Sequence, residues 1–154
     1  MSDGATTITF GTDGWRALIA RDYTFENVRA CAEGVCLLLE ESSKAAQGLV
    51  IGYDTRFGSP EFAAEVAQVS AAHGIRTYLA DHAVPTPALS FSVLNHGAGG
   101  GVVITASHNS SLWNGFKYKP DYAGSASPEI IERLERHIAQ ARAREIRVKP
   151  LDQA

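Results

Sequence analysis

Short apolar runs alternate along this chain with longer stretches whose apolar residues recur at helical spacing, and that alternation limits the fold more than any other feature. Leu49-Val50-Ile51-Gly52-Tyr53 and Val102-Val103-Ile104-Thr105 are apolar or β-branched nearly throughout, as buried strands are. Residues 6–10, 15–20, 75–80 and 116–119 read as further strands. Thr24 suits the N-cap of a helix with Glu26 in its first turn, and Val28, Cys31, Ala32, Val35, Leu38 and Leu39 give it one apolar face. Ser59-Pro60-Glu61, Thr86-Pro87 and Ser127-Pro128-Glu129 each read as a cap followed by a proline at the first helical position. Phe62, Val66 and Val69 form the core face of the second helix, and Ile130, Ile131, Leu134 and Ile138 that of the last. Gly48 and Gly74 follow helices, and the glycine-rich run 97–101 reads as a turn. Strands alternating with helices imply βαβ units. The expected fold is a three-layer α/β/α sandwich with a mostly parallel, mixed sheet, built as a single domain over residues 1–154. A strand pair at the start would add antiparallel edges.

With 45% hydrophobic and 20% charged residues, the 154-residue chain has the composition of one globular domain. A net charge of -3 gives no reason to expect a nucleic-acid partner. The basic run Arg142, Arg144, Arg147 and Lys149 reads as a solvated helix end. Cys31 and Cys36 lie inside the apolar-periodic segment, fit no zinc spacing, and read as buried thiols. No apolar run reaches about 18 residues, and Met1-Ser2-Asp3-Gly4 lacks a signal-peptide pattern, so a cytoplasmic protein without membrane contact is expected.

Chemistry is expected in Thr105-Ala106-Ser107-His108-Asn109, which leaves the carboxyl end of a strand, where α/β sheets bind ligands. Ser107 offers a hydroxyl, His108 a base and Lys117 a cation. Exposed amide N–H groups in such a turn can take an anion. That combination suits phosphoryl transfer, where positioning and charge neutralisation do most of the work. A serine-hydrolase reading lacks a Gly-x-Ser-x-Gly elbow, and adjacent Ser and His do not reproduce a triad. The glycine run precedes a strand, opposite to the order of a dinucleotide fingerprint. His73, His82, His96 and His137 belong to no constellation and read as surface or helix-end residues. Trp15 reads as core; Trp113 is open between the core and a sugar contact.

Ile104-Thr105-Ala106-Ser107-His108-Asn109, followed by Asn114-Gly115-Phe116-Lys117, resembles the active-site serine segment of the α-D-phosphohexomutases, which include phosphoglucomutase and phosphomannomutase. Phe10-Gly11-Thr12-Asp13-Gly14-Trp15-Arg16 resembles the N-terminal signature of that family, and Gly52-Tyr53-Asp54-Thr55-Arg56 its Gly-x-Asp-x-Arg segment. The resemblance implies a domain I whose Ser107 carries phosphate and gives it to a hexose phosphate through a bisphosphate intermediate, so that phosphate moves between O1 and O6. It implies Ser107, His108 and Lys117 as catalytic residues, the last two as proton-transfer groups. It implies Arg16 and Asn109 as phosphate-binding or loop-holding residues. It also implies Mg²⁺ beside Ser107, bound through the serine phosphate.

Each carried-over residue has a plainer role beside the functional one. Arg16 can brace the first strand pair, Asp54 and Arg56 can form a structural ion pair near the site, and Asp13 can fix its turn through backbone N–H groups. The proline that the family places after Ser-His-Asn is here Ser110, followed by Ser111, so φ is not preset there. The seven aspartates include no Asp-x-Asp pair, so the aspartate loop that the resemblance assigns to Mg²⁺ is not in this sequence. The expected partners are a hexose phosphate and domains II–IV of a longer enzyme, with the isolated domain inactive. The alternative is a sugar-phosphate-binding or interaction module without catalysis.

Overall fold

A computed structural model describes residues 7–11 and 13–153. Five strands form one mixed sheet: β1 (Trp15–Leu18), β2 (Leu49–Tyr53), β3 (Thr77–Leu79), β4 (Gly100–Ile104) and β5 (Trp113–Pro120). Their order is β1-β5-β4-β2-β3. β2 runs parallel to both β3 and β4, and β5 runs antiparallel to both β4 and β1. Four helices follow the order expected from the sequence: α1 (Phe25–Glu41), α2 (Ser59–Ala72), α3 (Thr86–His96) and α4 (Pro128–Ala141). The α/β/α sandwich with a mixed sheet is thus observed, with the antiparallel part formed by β1 and β5.

Side chains alternate across the sheet and sort the core into two layers. Leu49, Ile51, Val102, Ile104, Phe116 and Tyr118 face one side and join the apolar faces of α1, α2 and α4 in a large buried cluster. Val28, Cys31, Ala32, Val35, Leu38 and Leu39 of α1 are all within it. Burial raises both thiols well above their ordinary range, Cys36 to about 12, so they pack as small apolar groups. On the other side, Val50 and Val103 meet Leu89 and Val93 of α3 in a much smaller cluster.

The caps show where local chemistry decided and where it did not. The Thr24 hydroxyl accepts from the Asn27 N–H at 3.3 Å, and Ser127 accepts from Ile130 at 3.4 Å, as the sequence predicts. Ser59 is not a cap: Gly58, in the left-handed region at φ +74°, precedes α2, and Ser59 opens it. Its hydroxyl instead donates to Asp54 Oδ1 at 2.9 Å. Thr86 likewise starts α3 without capping it, and Pro85 holds the cap position. The glycine run divides: Gly97 ends α3 at φ +58°, while Gly100 and Gly101 belong to β4. Residues 7–10 form no strand, because no neighbouring strand takes their backbone; Thr6 lies outside the described residues. Ile8 and Phe10 are nevertheless buried, and the Phe10 N–H donates to Glu135 Oε1 at 2.6 Å.

Candidate active site

The carboxyl ends of β2 and β4 lie side by side, and each releases the chain into a loop of the site. After β2 comes Asp54, whose N–H donates to the Ile104 carbonyl at 3.0 Å. Its carboxylate takes the Arg56 N–H and Arg56 Nε, both at 3.0 Å, and the Ser59 hydroxyl. Asn114 Nδ2 donates to the same Ser59 hydroxyl at 2.9 Å, so α2 and β5 are tied into the turn. The ion pair expected between Asp54 and Arg56 is present.

After β4 comes the serine loop. Ser107 is in the left-handed region at φ +57°, which few residues other than glycine adopt. Its N–H donates to Thr105 Oγ1 at 3.0 Å, and Asn109 N–H donates to the Ala106 carbonyl at 3.1 Å. Arg56 secures the rest. Its Nη2 donates to the carbonyls of Ser107 and Asn109 at 2.7 and 2.8 Å. Its Nη1 donates to those of Ser110 and Trp113 at 2.7 and 3.1 Å. A planar guanidinium with five donors can hold that many acceptors at once; an ammonium cannot. The Ser107 hydroxyl is exposed and lies 3.2 Å from His108 Nδ1. Asp54, Arg56, Thr86, Thr105, Ser107 and Ser111 lie on the wall of an open cleft of about 610 Å³.

A cationic group comes from the β1–β5 edge. Strand register pairs Val103 with Lys117 and Arg16 with Gly115, so Lys117 and Arg16 project from the same face as Val103. Lys117 is 6% exposed, and its Nζ meets Asp13 Oδ2 at 2.6 Å. Arg16 Nη2 reaches the same oxygen at 3.4 Å, and its Nη1 donates to Asn109 Oδ1 at 2.9 Å. Arg16 thereby links the signature near the N-terminus to the serine loop. The Asp13 carboxylate is engaged by these two cations. Gly14 permits the arrangement: at φ +97°, a Cβ there would stand 2.5 Å from the Phe116 carbonyl and 3.0 Å from Lys117 Cγ. Beneath the site, the buried Tyr23 hydroxyl donates to the Gly115 carbonyl at 2.8 Å, and burial raises its pKa.

All the residues singled out from the sequence therefore converge on one end of the sheet, in two groups joined by the Arg16–Asn109 hydrogen bond. What the sequence did not reveal is the reach of Arg56, whose carbonyl partners stand 51 to 57 positions away. His73 is a helix-end residue as expected, whereas His137 lies within α4, and both make contacts that the sequence did not show. His73 bridges Glu33 and Glu40, and His137 meets Glu41 at 2.9 Å; both rings are mostly buried between helices. Trp15 is buried as expected, and Trp113 is the first residue of β5. Among the described residues, no three His, Cys, Asp or Glu side chains come together as a metal-binding group.

The sequence profile of the phosphoglucomutase/phosphomannomutase α/β/α domain I matches residues 7–145. The chain belongs to this family. It is 40% identical over 136 residues to a phosphoglucomutase of Staphylococcus epidermidis, a match covering 86% of this chain and 25% of that protein. A probable phosphoribomutase of Schizosaccharomyces pombe is 42% identical over 115 residues, covering 71% of this chain and 20% of the relative. Among solved structures, a candidate phosphomannomutase from Thermus thermophilus superposes with a TM-score of 0.82 at 36% identity, covering 96% of this chain and 33% of its own. The chain thus spans about a quarter of the length of the curated relatives it matches. No helix among the described residues is long and apolar enough to cross a membrane.

Proposed function

We propose that this domain carries a phosphoryl group on Ser107 and exchanges it with a hexose phosphate, as part of a phosphoglucomutase or phosphomannomutase. The observation that carries the reading is the exposed Ser107 hydroxyl, on a rigidly held loop, 3.2 Å from His108 Nδ1 and tied through Asn109 to Arg16. In transfer to the sugar, the bond between Ser107 Oγ and phosphorus breaks and a bond from a sugar hydroxyl oxygen to phosphorus forms. The sugar hydroxyl gives up its proton, and Ser107 Oγ gains one. Return transfer from the other position of the bisphosphate restores the phosphoserine and leaves the isomeric hexose phosphate. His108 would exchange a proton with Ser107 Oγ, a role supported by the 3.2 Å between its Nδ1 and that oxygen. Lys117 meets Asp13 as an ammonium meets a carboxylate, which suits a fixed cation that steadies charge on the phosphoryl oxygens during proton transfer. Arg16 and Asn109 would orient the phosphate.

The described residues do not by themselves fit Mg²⁺. A hard cation takes about six oxygen ligands, and here only a phosphate on Ser107 and scattered carboxylates are in view. No step is assigned to the metal; its remaining ligands would come from outside this chain, in the domains II–IV that make up the rest of such an enzyme. A cytoplasmic setting fits the two buried, unpaired thiols.

Intact-mass and phosphopeptide measurements on protein purified from cells test the reading. The expected result is one phosphate, on Ser107, lost in Ser107→Ala. Phosphate on Ser110 or Ser111 instead would overturn the assignment.

A further inference from the structure

Asp13 meets two cations through one oxygen. Its Oδ2 lies 2.6 Å from Lys117 Nζ and 3.4 Å from Arg16 Nη2. The three side chains differ in their access to water: that of Lys117 is 7% exposed, that of Arg16 25% and that of Asp13 49%. The charge with most to lose from burial is therefore the ammonium, and Asp13 is the carboxylate that meets it. The turn that carries Asp13 is closed by its main chain, not by that carboxylate. Gly11 and Gly14 exchange backbone hydrogen bonds at 3.2 and 3.4 Å. Gly14 then sets the turn on the stem of Lys117: a Cβ on Gly14 would stand 3.0 Å from Lys117 Cγ and 3.1 Å from its Cα. Contact that close brings the Asp13 carboxylate to the end of the same side chain. Stability gives little reason for the arrangement, because an ion pair open to water on one side contributes little to it.

We infer that Asp13 is a positioning residue for phosphoryl transfer, acting through Lys117 and Arg16. Its carboxylate keeps the Lys117 ammonium charged and aimed, and the shared oxygen sets the spacing between the two cations. The inference rests on the reading of Lys117 as the fixed cation of the site. Removing the two partners has unequal effects. Without Lys117, Asp13 still has Arg16 and water. Without the charge of Asp13, a nearly buried ammonium loses its counter-charge and must swing out or shed its proton, and either change removes the fixed cation. Arg16 keeps its bond to Asn109 Oδ1 in both cases, so the serine loop stays tied. Asp13 thus governs the cation and not the loop.

Amine labelling of the 154-residue protein tests this directly. An acylating reagent needs the lone pair that an ammonium lacks, so a lysine held against a carboxylate reacts slowly. Acetic anhydride is applied in short pulses to the folded protein, and peptide mass spectrometry gives each lysine a rate. Lys119, two residues further along β5, is the internal standard. In the wild type, Lys117 is expected to react at least about tenfold more slowly than Lys119. Asp13→Asn keeps the shape of the side chain but not its charge, and should bring Lys117 close to the rate of Lys119. Asp13→Glu restores the charge and should restore the slow rate. An Asp13 that only shaped its turn would give the reverse order, since Asn preserves the turn better than Glu. Lys117 equally slow in the wild type and in Asp13→Asn would overturn the inference. So would wild-type Lys117 reacting as fast as Lys119, a result that needs no variant to fold. In an enzyme assembled with the remaining domains, Asp13→Asn should lower kcat by about 10–100-fold with KM changed far less, and an unchanged kcat would overturn the positioning role. The labelling rates do not depend on whether Ser107 carries phosphate, which the phosphopeptide measurement decides alone.

Discussion

The two faces of the sheet are built to different ends. On one, three helices press against Leu49, Ile51, Val102, Ile104, Phe116 and Tyr118, and almost nothing polar interrupts them. On the other, α3 alone covers β2 and β4 with a small apolar cluster. Beyond it, the β1–β5 edge presents Arg16 and Lys117. The first face supplies most of the burial that holds the domain together. The second can keep a nearly buried ammonium and a run of polar contacts because it need not supply that burial. The antiparallel addition of β1 and β5 extends the sheet past its helical cover and so makes room for charge.

Removing charge from the second face puts the contrast to its most severe test. Lys117→Met should lower phosphate transfer by about 10²–10³-fold in an enzyme assembled with the remaining domains, while the half-exposed Asp13, still met by Arg16, keeps the loss of stability small. A large loss of stability instead would mean that the charged edge is structural. The converse change, Ile51→Ala on the first face, should cost about 2–5 kcal/mol in urea unfolding, and Leu89→Ala in the smaller cluster should fall towards the lower end of that range. Equal losses at the two positions would erase the contrast.

Gly14→Ala sits on the boundary between the faces. A methyl group 2.5 Å from the Phe116 carbonyl, on a backbone at φ +97°, should cost about 1–3 kcal/mol and displace Asp13 from Lys117. Unfolding curves and the Asp13 side-chain resonances would report it.

The smallest effect is expected far from the site. His73 of the α2 terminus faces Glu33 and Glu40 of α1, and Arg144 of the segment after α4 holds the other oxygen of Glu33. Burial disfavours the charged ring, but hydrogen bonds and charge from the two carboxylates outweigh it, and the pKa is raised. Its contribution to stability is therefore fully present below the ordinary histidine value near 6.5 and is lost as pH rises through the higher folded value. Stability should fall modestly as pH rises above about 6.5, and His73→Gln should flatten that slope. An unchanged slope in the variant would assign the pH dependence elsewhere.

The parts of this molecule that sequence made legible are those decided by neighbours in the chain. Thr24 and Ser127 cap helices through hydroxyls that accept from the N–H three residues on, and the apolar face of α1 follows from its spacing alone. Ser59 has the same local pattern and does not cap, because Asp54, five residues back, takes its hydroxyl once the turn closes. Residues 7–10 have strand composition without a strand, since a ladder needs a partner that composition cannot supply. Within the site, Ser107, His108 and Lys117 stood out by residue type and motif. The grip of Arg56 did not, because backbone carbonyls carry no mark in a sequence and their positions depend on a loop from another strand.

The pairing of β1 with β5 also dictates when the domain can be completed during synthesis. Trp15 has Phe116 as its cross-strand partner, and Arg16 and Asp13 meet Asn109 and Lys117 only after that pairing forms. At translation rates of about 5–20 residues per second, the N-terminal segment waits roughly 5–20 s for its neighbour to be made. In that interval β2, β3 and β4 can assemble, but β4 keeps an unpaired edge, the kind of surface on which nascent chains associate wrongly. A ribosome stalled before β5 would therefore display a sheet that is already folded on one side, and a serine loop without Arg16 and Lys117 in place.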